Sequence, residues 1–254
     1  MAHSHPVLPD VTRVQFLRVP VDVVAPEDLP AIVDTLLSEE RSHQIILLSL
    51  SDLLRARRNN DFRAWVLGAS LVIPISRAIT RGLRFVSGVR AVRWMPFDLV
   101  VHLLGALEPR NRSLYLLGAR KKSLQTAERN LRHTFPGVRI VGRFNGGFRK
   151  SEESLIVTGI RKASPSLLLV GEGVPGEERW IYRNLRRLGP GLKLWCGDLF
   201  DVFSERKHRP SKALWDRGLE GLLHAVKNPF YSLRIFPWAY YNILLLCYRL
   251  FRRR

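Results

Sequence analysis

The sequence is short of cysteine and of acidic side chains, and each shortage removes a class of protein. Two cysteines, Cys196 and Cys247, in 254 residues exclude a disulfide-stapled small domain. They lie too far apart, and away from the 7 histidines, to build a zinc site, and no cofactor is expected. The first ten residues lack the basic start and apolar run of a secretory signal, so the chain is expected to work in the cytoplasm; His3 and His5 are assigned no chemistry. No helix-turn-helix, finger or RNP-like aromatic pattern is present, which sets nucleic acid behind other anionic partners.

What is there in quantity is apolar and positively charged. A hydrophobic share of 46% supplies a packed core and excludes a disordered polyelectrolyte. Lys and Arg number 41 against 22 Asp and Glu, a formal net charge of +19. The excess is uneven: residues 81–150 hold 15 basic and 3 acidic groups, residues 205–254 hold 11 and 3, and the remainder is near balance. Because 33 of the basic residues are Arg, a compositional bias explains the skew as well as selection does. Taken as selected, the two blocks point to an anionic partner: a sugar nucleotide, a pyrophosphate or an anionic membrane surface.

Periodicity predicts an α/β fold. Residues 27–40 read as a helix, 44–50 as a strand, 52–67 as a helix and 69–75 as a buried strand, with Pro74 ending that strand or marking an edge. Residues 113–117 form a strand, Gly118 to Lys122 a turn, and Ser123 N-caps a helix to Thr134. Residues 138–141 start another strand. A second strand–helix alternation follows: helix 152–162, strand 166–170, a Gly171–Pro175 turn, a helix to Leu188 and a strand at 193–196. Strands alternating with helices make a Rossmann-like, mostly parallel sheet covered on both faces, with ligands at the carboxyl ends of the strands. This unit is expected to occupy residues 1–204, with 205–254 as a basic appendage. In the appendage, residues 235–248 are apolar, interrupted by Pro237 and Asn242, and followed by Arg249 and Arg252 to Arg254. Fourteen such residues fall short of the ~20 that span a bilayer. They suit a segment lying in the interface of an anionic membrane, or a helix docked into the core.

Several patterns occur in a fixed order: Leu116-Leu117-Gly118, Ala127-Glu128-Arg129-Asn130-Leu131, Phe135-Pro136-Gly137, and Val141-Gly142 with Gly146 and Phe148. They continue as Gly171-x-Gly173-x-Pro175-x-x-Glu178-x-Trp180, Gly197 with Phe200-Asp201, Arg209 and Leu219-Glu220. In these the chain resembles the WecG/TagA/CpsF family of bacterial inverting glycosyltransferases, with a weaker match back to about residue 44. The resemblance implies transfer of an N-acetylhexosamine-type sugar from a UDP-sugar to a polyprenyl-diphosphate-linked acceptor, in cell-envelope polysaccharide synthesis. It implies no nucleotide-bound metal, and a basic C-terminal segment that reaches the inner face of the membrane. A second copy of the chain is counted among the candidate partners.

The same comparison exposes a departure. The family's Asp-Gly after the second strand reads Ile75-Ser76, and an Ile cannot take the proton of an attacking hydroxyl. The family's Thr-x-Asn falls on Leu47 and Ser49, Gly-x-Asp-Leu becomes Pro96-Phe97-Asp98-Leu99, Pro-x-Gln-Glu becomes Pro175-Gly176-Glu177-Glu178, and Leu-Glu-Trp ends in Gly221. Asp98 is the expected replacement base, or else a structural carboxylate that caps a helix or pairs with Arg93. Ser49, Gly118, Gly171, Gly173, Glu177, Glu178 and Asp201 are expected around the substrate. Arg206, His208 and Arg209 are expected to grip its diphosphate, or else to be solvated surface. The rival reading is an inactive relative that binds UDP-sugar or lipid-linked sugar as a regulatory or scaffolding partner.

Overall fold

The computed structural model describes residues 11–58, 60–209, 211–217 and 235–251. Leu219-Glu220-Gly221 and Arg252 to Arg254 lie outside them. The chain opens with an antiparallel hairpin, β1 (Thr12–Phe16) and β2 (Val19–Val23), which the sequence reading did not anticipate. Its two-residue turn is Leu17-Arg18, with φ of 50° and 68°. Hairpins of this kind are signalled by Asn-Gly or Asp-Gly, so a Leu-Arg turn leaves no mark in the sequence.

Then follow α1 (Leu29–Ser38), β3 (Ser42–Leu48), α2 (Leu50–Arg58), α3 (Asn60–Leu67), β4 (Leu71–Pro74), α4 (Arg77–Ser87) and α5 (Pro96–Leu107). The second half is β5 (Ser113–Leu117), α6 (Lys121–Thr134), β6 (Arg139–Phe144), α7 (Glu153–Ala163), β7 (Leu167–Gly171), α8 (Glu178–Asn184), β8 (Gly191–Gly197) and α9 (Leu199–Phe203). Two helices close the described chain, α10 (Lys212–Arg217) and α11 (Ile235–Phe251). The helix predicted over 52–67 is covered by α2 and α3, and residue 59 between them lies outside the described residues. The N-cap of α6 is Arg120 rather than Ser123, which sits inside the first turn. α8 stops at Asn184, four residues short of the prediction.

Strands β3 to β8 form a six-stranded parallel sheet in the order β4-β3-β8-β7-β5-β6. The fold is α/β, as the alternation of strands and helices predicts. Pro74 is the last residue of β4, and β4 is an edge strand, where a missing N–H costs no ladder bond. The central strands read as apolar runs because both faces are covered. Leu114, Leu116, Leu167, Leu169, Leu192 and Leu194 pack on one face against α1, α5, α6 and α9. Tyr115, Leu117, Leu168 and Val170 pack on the other with Trp180 and the apolar side of α7. Beside them on that second face, Ile46, Leu48 and Val72 meet the hairpin, α2 to α4 and α11.

The hairpin shields the exposed edge of β4. Buried Asp22 accepts from the backbone N–H of Val72 at 2.7 Å. Arg13 holds both Asp22 oxygens at 2.7 Å and donates to the Ser70 carbonyl at 2.9 Å. Main-chain groups that would otherwise invite edge pairing are satisfied within the molecule.

α11 docks on α4. Tyr241 and Leu245 are buried, and the Tyr241 hydroxyl donates to the Ala78 carbonyl at 2.7 Å. Gly82 makes the close approach feasible: a Cβ there would lie 2.1 Å from the Tyr241 hydroxyl oxygen and 2.7 Å from the Phe16 ring. Pro237 is in the first turn of α11, where its missing N–H is unneeded, and Asn242 turns its amide onto the Trp238 carbonyl at 2.8 Å, so neither residue breaks the helix. On the opposite side Trp238, Ile243, Leu246 and Leu250 are exposed, so the segment is both docked and apolar outward. No helix among the described residues is long and apolar enough to cross a membrane.

Candidate functional site

All six strands of the parallel sheet point their carboxyl ends to one side, and two adjoining cavities open there. The smaller, about 480 Å³, lies over the ends of β5, β6, β7 and β8. Its floor is a knot of backbone hydrogen bonds between the loops. Ala119 N–H donates to Glu172 at 2.6 Å, Gly146 N–H to Ala119 at 2.8 Å, Gly147 N–H to Gly173 at 2.6 Å and Glu172 N–H to Gly197 at 2.9 Å. Gly118 has φ +119°, and a Cβ on it would stand 2.6 Å from the Gly171 carbonyl oxygen. That position and Gly171, on which the Phe200 ring rests, pack the loops together but do not line the cavity, whereas Gly173 is in its wall.

Over this floor, α6 starts without a side-chain cap and without an acidic residue in its first turn. Its start is instead Arg120, Lys121 and Lys122. Cations at a helix N-terminus oppose the macrodipole by ~0.3–1 kcal/mol each, an arrangement that suits an anion brought to the free N–H groups. Arg206 and Lys207 complete the cationic wall, with Lys207 on Asp198 at 2.9 Å. Asp201 lies in α9, and its carbonyl accepts from Lys207 N–H at 3.0 Å, tying the basic loop back to the sheet.

The larger cavity, about 1030 Å³, shares Gly197, Asp198, Arg206 and Lys207 with the first and extends over the ends of β3 and β4. Its wall is largely apolar: Leu47, Ile75, Met95, Phe97 and Trp195. Its polar lining includes Gln44, Asp52, Glu178, His208, Arg209 and Ser211. Trp215 closes it, stacked 3.7 Å under the Arg93 guanidinium, and its indole N–H is buried without a hydrogen-bond partner among the described residues.

Glu178 begins α8 with its side chain three-quarters covered and Arg55 at 3.9 Å. Burial, then the neighbouring Asp52 carboxylate, push its carboxyl up to about 7, against the pull of Arg55. Asp52 is held by a reciprocal cap: Asp52 N–H donates to Ser49 Oγ at 3.2 Å, and Ser49 N–H to Asp52 Oδ2 at 3.2 Å. The pair is the capping box of α2. Ser49 thus fixes Asp52, and Asp52 faces the cavity.

The remaining expected residues fall differently. Asp98 is in the first turn of α5 and forms an ion pair with Arg209, whose guanidinium covers the Phe97 ring at 4.8 Å. Its partner is Arg209 and not Arg93, which donates to the carbonyls of Ile75 and Trp215. Glu177 is exposed at φ 52° as the N-cap of α8, turned from both cavities. Arg206, His208 and Arg209 are exposed at the rim. Sequence reasoning passed over Asp52, Arg55, Trp65 and Trp215; the Ser49-x-x-Asp52 spacing was the one signal available for Asp52. Among the described residues no group of three or more His, Cys, Asp or Glu could hold a metal ion.

The architecture defines the class first: a parallel α/β domain with its cavities at the carboxyl edge, where such sheets take ligands. The particular family follows from comparison. The profile of the glycosyl transferase WecG/TagA/CpsF family matches residues 14–254, and the chain belongs to that family. It is similar to an N-acetylglucosaminyldiphosphoundecaprenol N-acetyl-beta-D-mannosaminyltransferase of Bacillus subtilis (strain 168), 23% identical over 75% of this chain and 74% of that protein. Proteins of the same name in Bacillus spizizenii and Staphylococcus aureus (strain MW2) are 22% and 20% identical, covering 68% and 63% of this chain and 67% and 62% of their own lengths.

Proposed function

We propose that the chain is a membrane-associated glycosyltransferase of cell-envelope polysaccharide synthesis, acting at the inner face of the membrane. It moves an N-acetylhexosamine-type sugar from a UDP-sugar to a polyprenyl-diphosphate-linked acceptor. Family membership and the activity for which the relatives are named support the reaction class. The outward apolar side of α11 supports the membrane. In this reading the donor's diphosphate lies in the smaller cavity against the start of α6, Arg206 and Lys207. The acceptor sugar enters the larger cavity.

Glu178 carries the proposal, because it is a carboxyl in the larger cavity held near neutrality by burial and Asp52. It takes the proton of the acceptor hydroxyl as that oxygen attacks the anomeric carbon. The bond from that carbon to the UDP oxygen breaks and UDP leaves with the electron pair, its charge met by the cations above. Asp98, committed to Arg209, serves the rim rather than the proton transfer in this scheme.

The apolar wall formed by Leu47, Ile75, Met95 and Phe97 favours the second reading, a relative that binds without turnover. The deciding assay is UDP release by the purified protein in detergent, with a panel of UDP-N-acetylhexosamines and polyprenyl-diphosphate-GlcNAc. Acceptor-dependent release is expected. UDP binding without release from any donor contradicts the transferase and establishes the binder.

A further inference from the structure

Sharing no lining residue with the two sheet-edge cavities, a third cavity of about 610 Å³ lies between the hairpin turn, α2, α4 and α11. Two arginines, Arg18 and Arg57, are in its wall with Gln15, Val86, Cys247 and Tyr248, and among the described residues no carboxylate is. Arg57 is the informative one. Its guanidinium rests 5.6 Å from the Tyr248 ring, and its Nη1 is buried with no hydrogen-bond partner among the described residues. A buried charged donor left unpaired is costly, and an acceptor brought from outside would satisfy it.

The turn that carries Arg18 points the same way. Leu17 and Arg18 both hold positive φ, a strained conformation for a non-glycine residue. The conformation buries Leu17 in the core and sets Arg18, exposed, at the mouth of the cavity. The mouth also meets the outward side of α11. Cys247 lines the cavity and is exposed, and it belongs to the helical stripe Ile243, Leu246, Leu250 by its three- and four-residue spacing.

We propose that this cavity binds the phosphate group of an anionic phospholipid, with the two guanidiniums on the phosphate oxygens and the acyl chains along the α11 stripe. The chemistry of the pocket fits: a guanidinium fork matches a phosphate, and no acidic residue among the described lining competes for it. An amphiphilic ligand also accounts for why the cationic pocket and the apolar stripe are contiguous. The site is distinct from the sheet-edge cavities, and its occupancy does not depend on whether sugar is transferred there.

Cys247 supplies the test, since Cys196 is buried and Cys247 reports the cavity. The rate of Cys247 alkylation by the neutral reagent iodoacetamide is measured with the full chain. The additions are monomeric dihexanoylphosphatidylglycerol, monooctanoylglycerol, which has no phosphate, and inorganic phosphate. At about ten times its Kd the phosphatidylglycerol is expected to slow alkylation about tenfold, with no protection by monooctanoylglycerol. Arg57→Lys keeps the charge and loses the fork, and is expected to raise the concentration needed about tenfold. Exposed Arg18→Gln, which leaves the core untouched, is expected to weaken protection in the same direction should Arg57→Lys fail to fold. Protection equal with inorganic phosphate assigns the site to the free ion and overturns the lipid as occupant. No protection by either phosphate compound, protection by monooctanoylglycerol alone, or protection undiminished in both variants overturns the site.

Discussion

Glu178 titrates where a proton acceptor at neutral pH is useful, and its neighbours say why. Burial and the Asp52 carboxylate raise it from 4.5 to about 7 while Arg55 restrains it. Under the proposed mechanism only the ionised form works, so the transfer rate is expected to rise with pH through a midpoint near 7. The same shift has a stability consequence of fixed sign. A carboxyl raised in the fold favours the protonated state, so its contribution is intact below the ordinary value and is lost as pH climbs through 7. Thermal melts of Glu178→Gln are therefore expected to match the parent at pH near 4 and to exceed it at pH near 8; an unchanged difference across that range contradicts the raised pKa. The sequence could name Glu178 through its motif, but it could not assign the proton to it. Asp52, Arg55 and Glu178 meet only after β3 and β7 are brought into one sheet with β8 between them. Asp98 had the better sequence credentials and is turned to Arg209 by the fold.

Elements whose signal is local were legible, and those fixed by a partner were not. The apolar runs of β3, β5, β7 and β8 announce themselves because helices cover both faces of the sheet. The hairpin is silent, since its turn is held by burial of Leu17 and by the Arg13–Asp22 clasp on β4. Breaking that clasp by Asp22→Ala takes the carboxylate from Arg13 and the acceptor from the Val72 N–H, and is expected to cost about 3–5 kcal/mol in denaturant unfolding. A loss under 1 kcal/mol contradicts the clasp. α11 was legible as apolar, with docking into the core as one of two readings, but the place that seats it was not, because Gly82, whose bare backbone admits Tyr241, is far away in sequence. Gly82→Leu is expected to unseat α11, exposing residues 235–251 to rapid hydrogen exchange while the sheet stays protected. Equal protection in the variant contradicts the packing described.

At the scale of the molecule, the +19 charge resolves into places. Arg120, Lys121 and Lys122 stand at the start of α6, Arg206 and Lys207 between the two sheet-edge cavities, and Arg18 and Arg57 beneath α11. The outward side of α11 is the expected membrane contact. The double variant Leu246→Asp, Leu250→Asp is expected to lose sedimentation with phosphatidylglycerol vesicles without a change in melting temperature, since both side chains are exposed. Undiminished sedimentation contradicts the contact. Ile75 and Glu178 line the same cavity, and in the proposed mechanism Glu178 takes the proton. The most direct measurement is the acceptor-dependent transfer rate of Glu178→Gln beside that of Asp98→Asn, at saturating donor and acceptor. The account predicts a fall of ~10²–10⁴-fold for Glu178→Gln and a far smaller one for Asp98→Asn. A Glu178→Gln protein that transfers at the parent rate contradicts it.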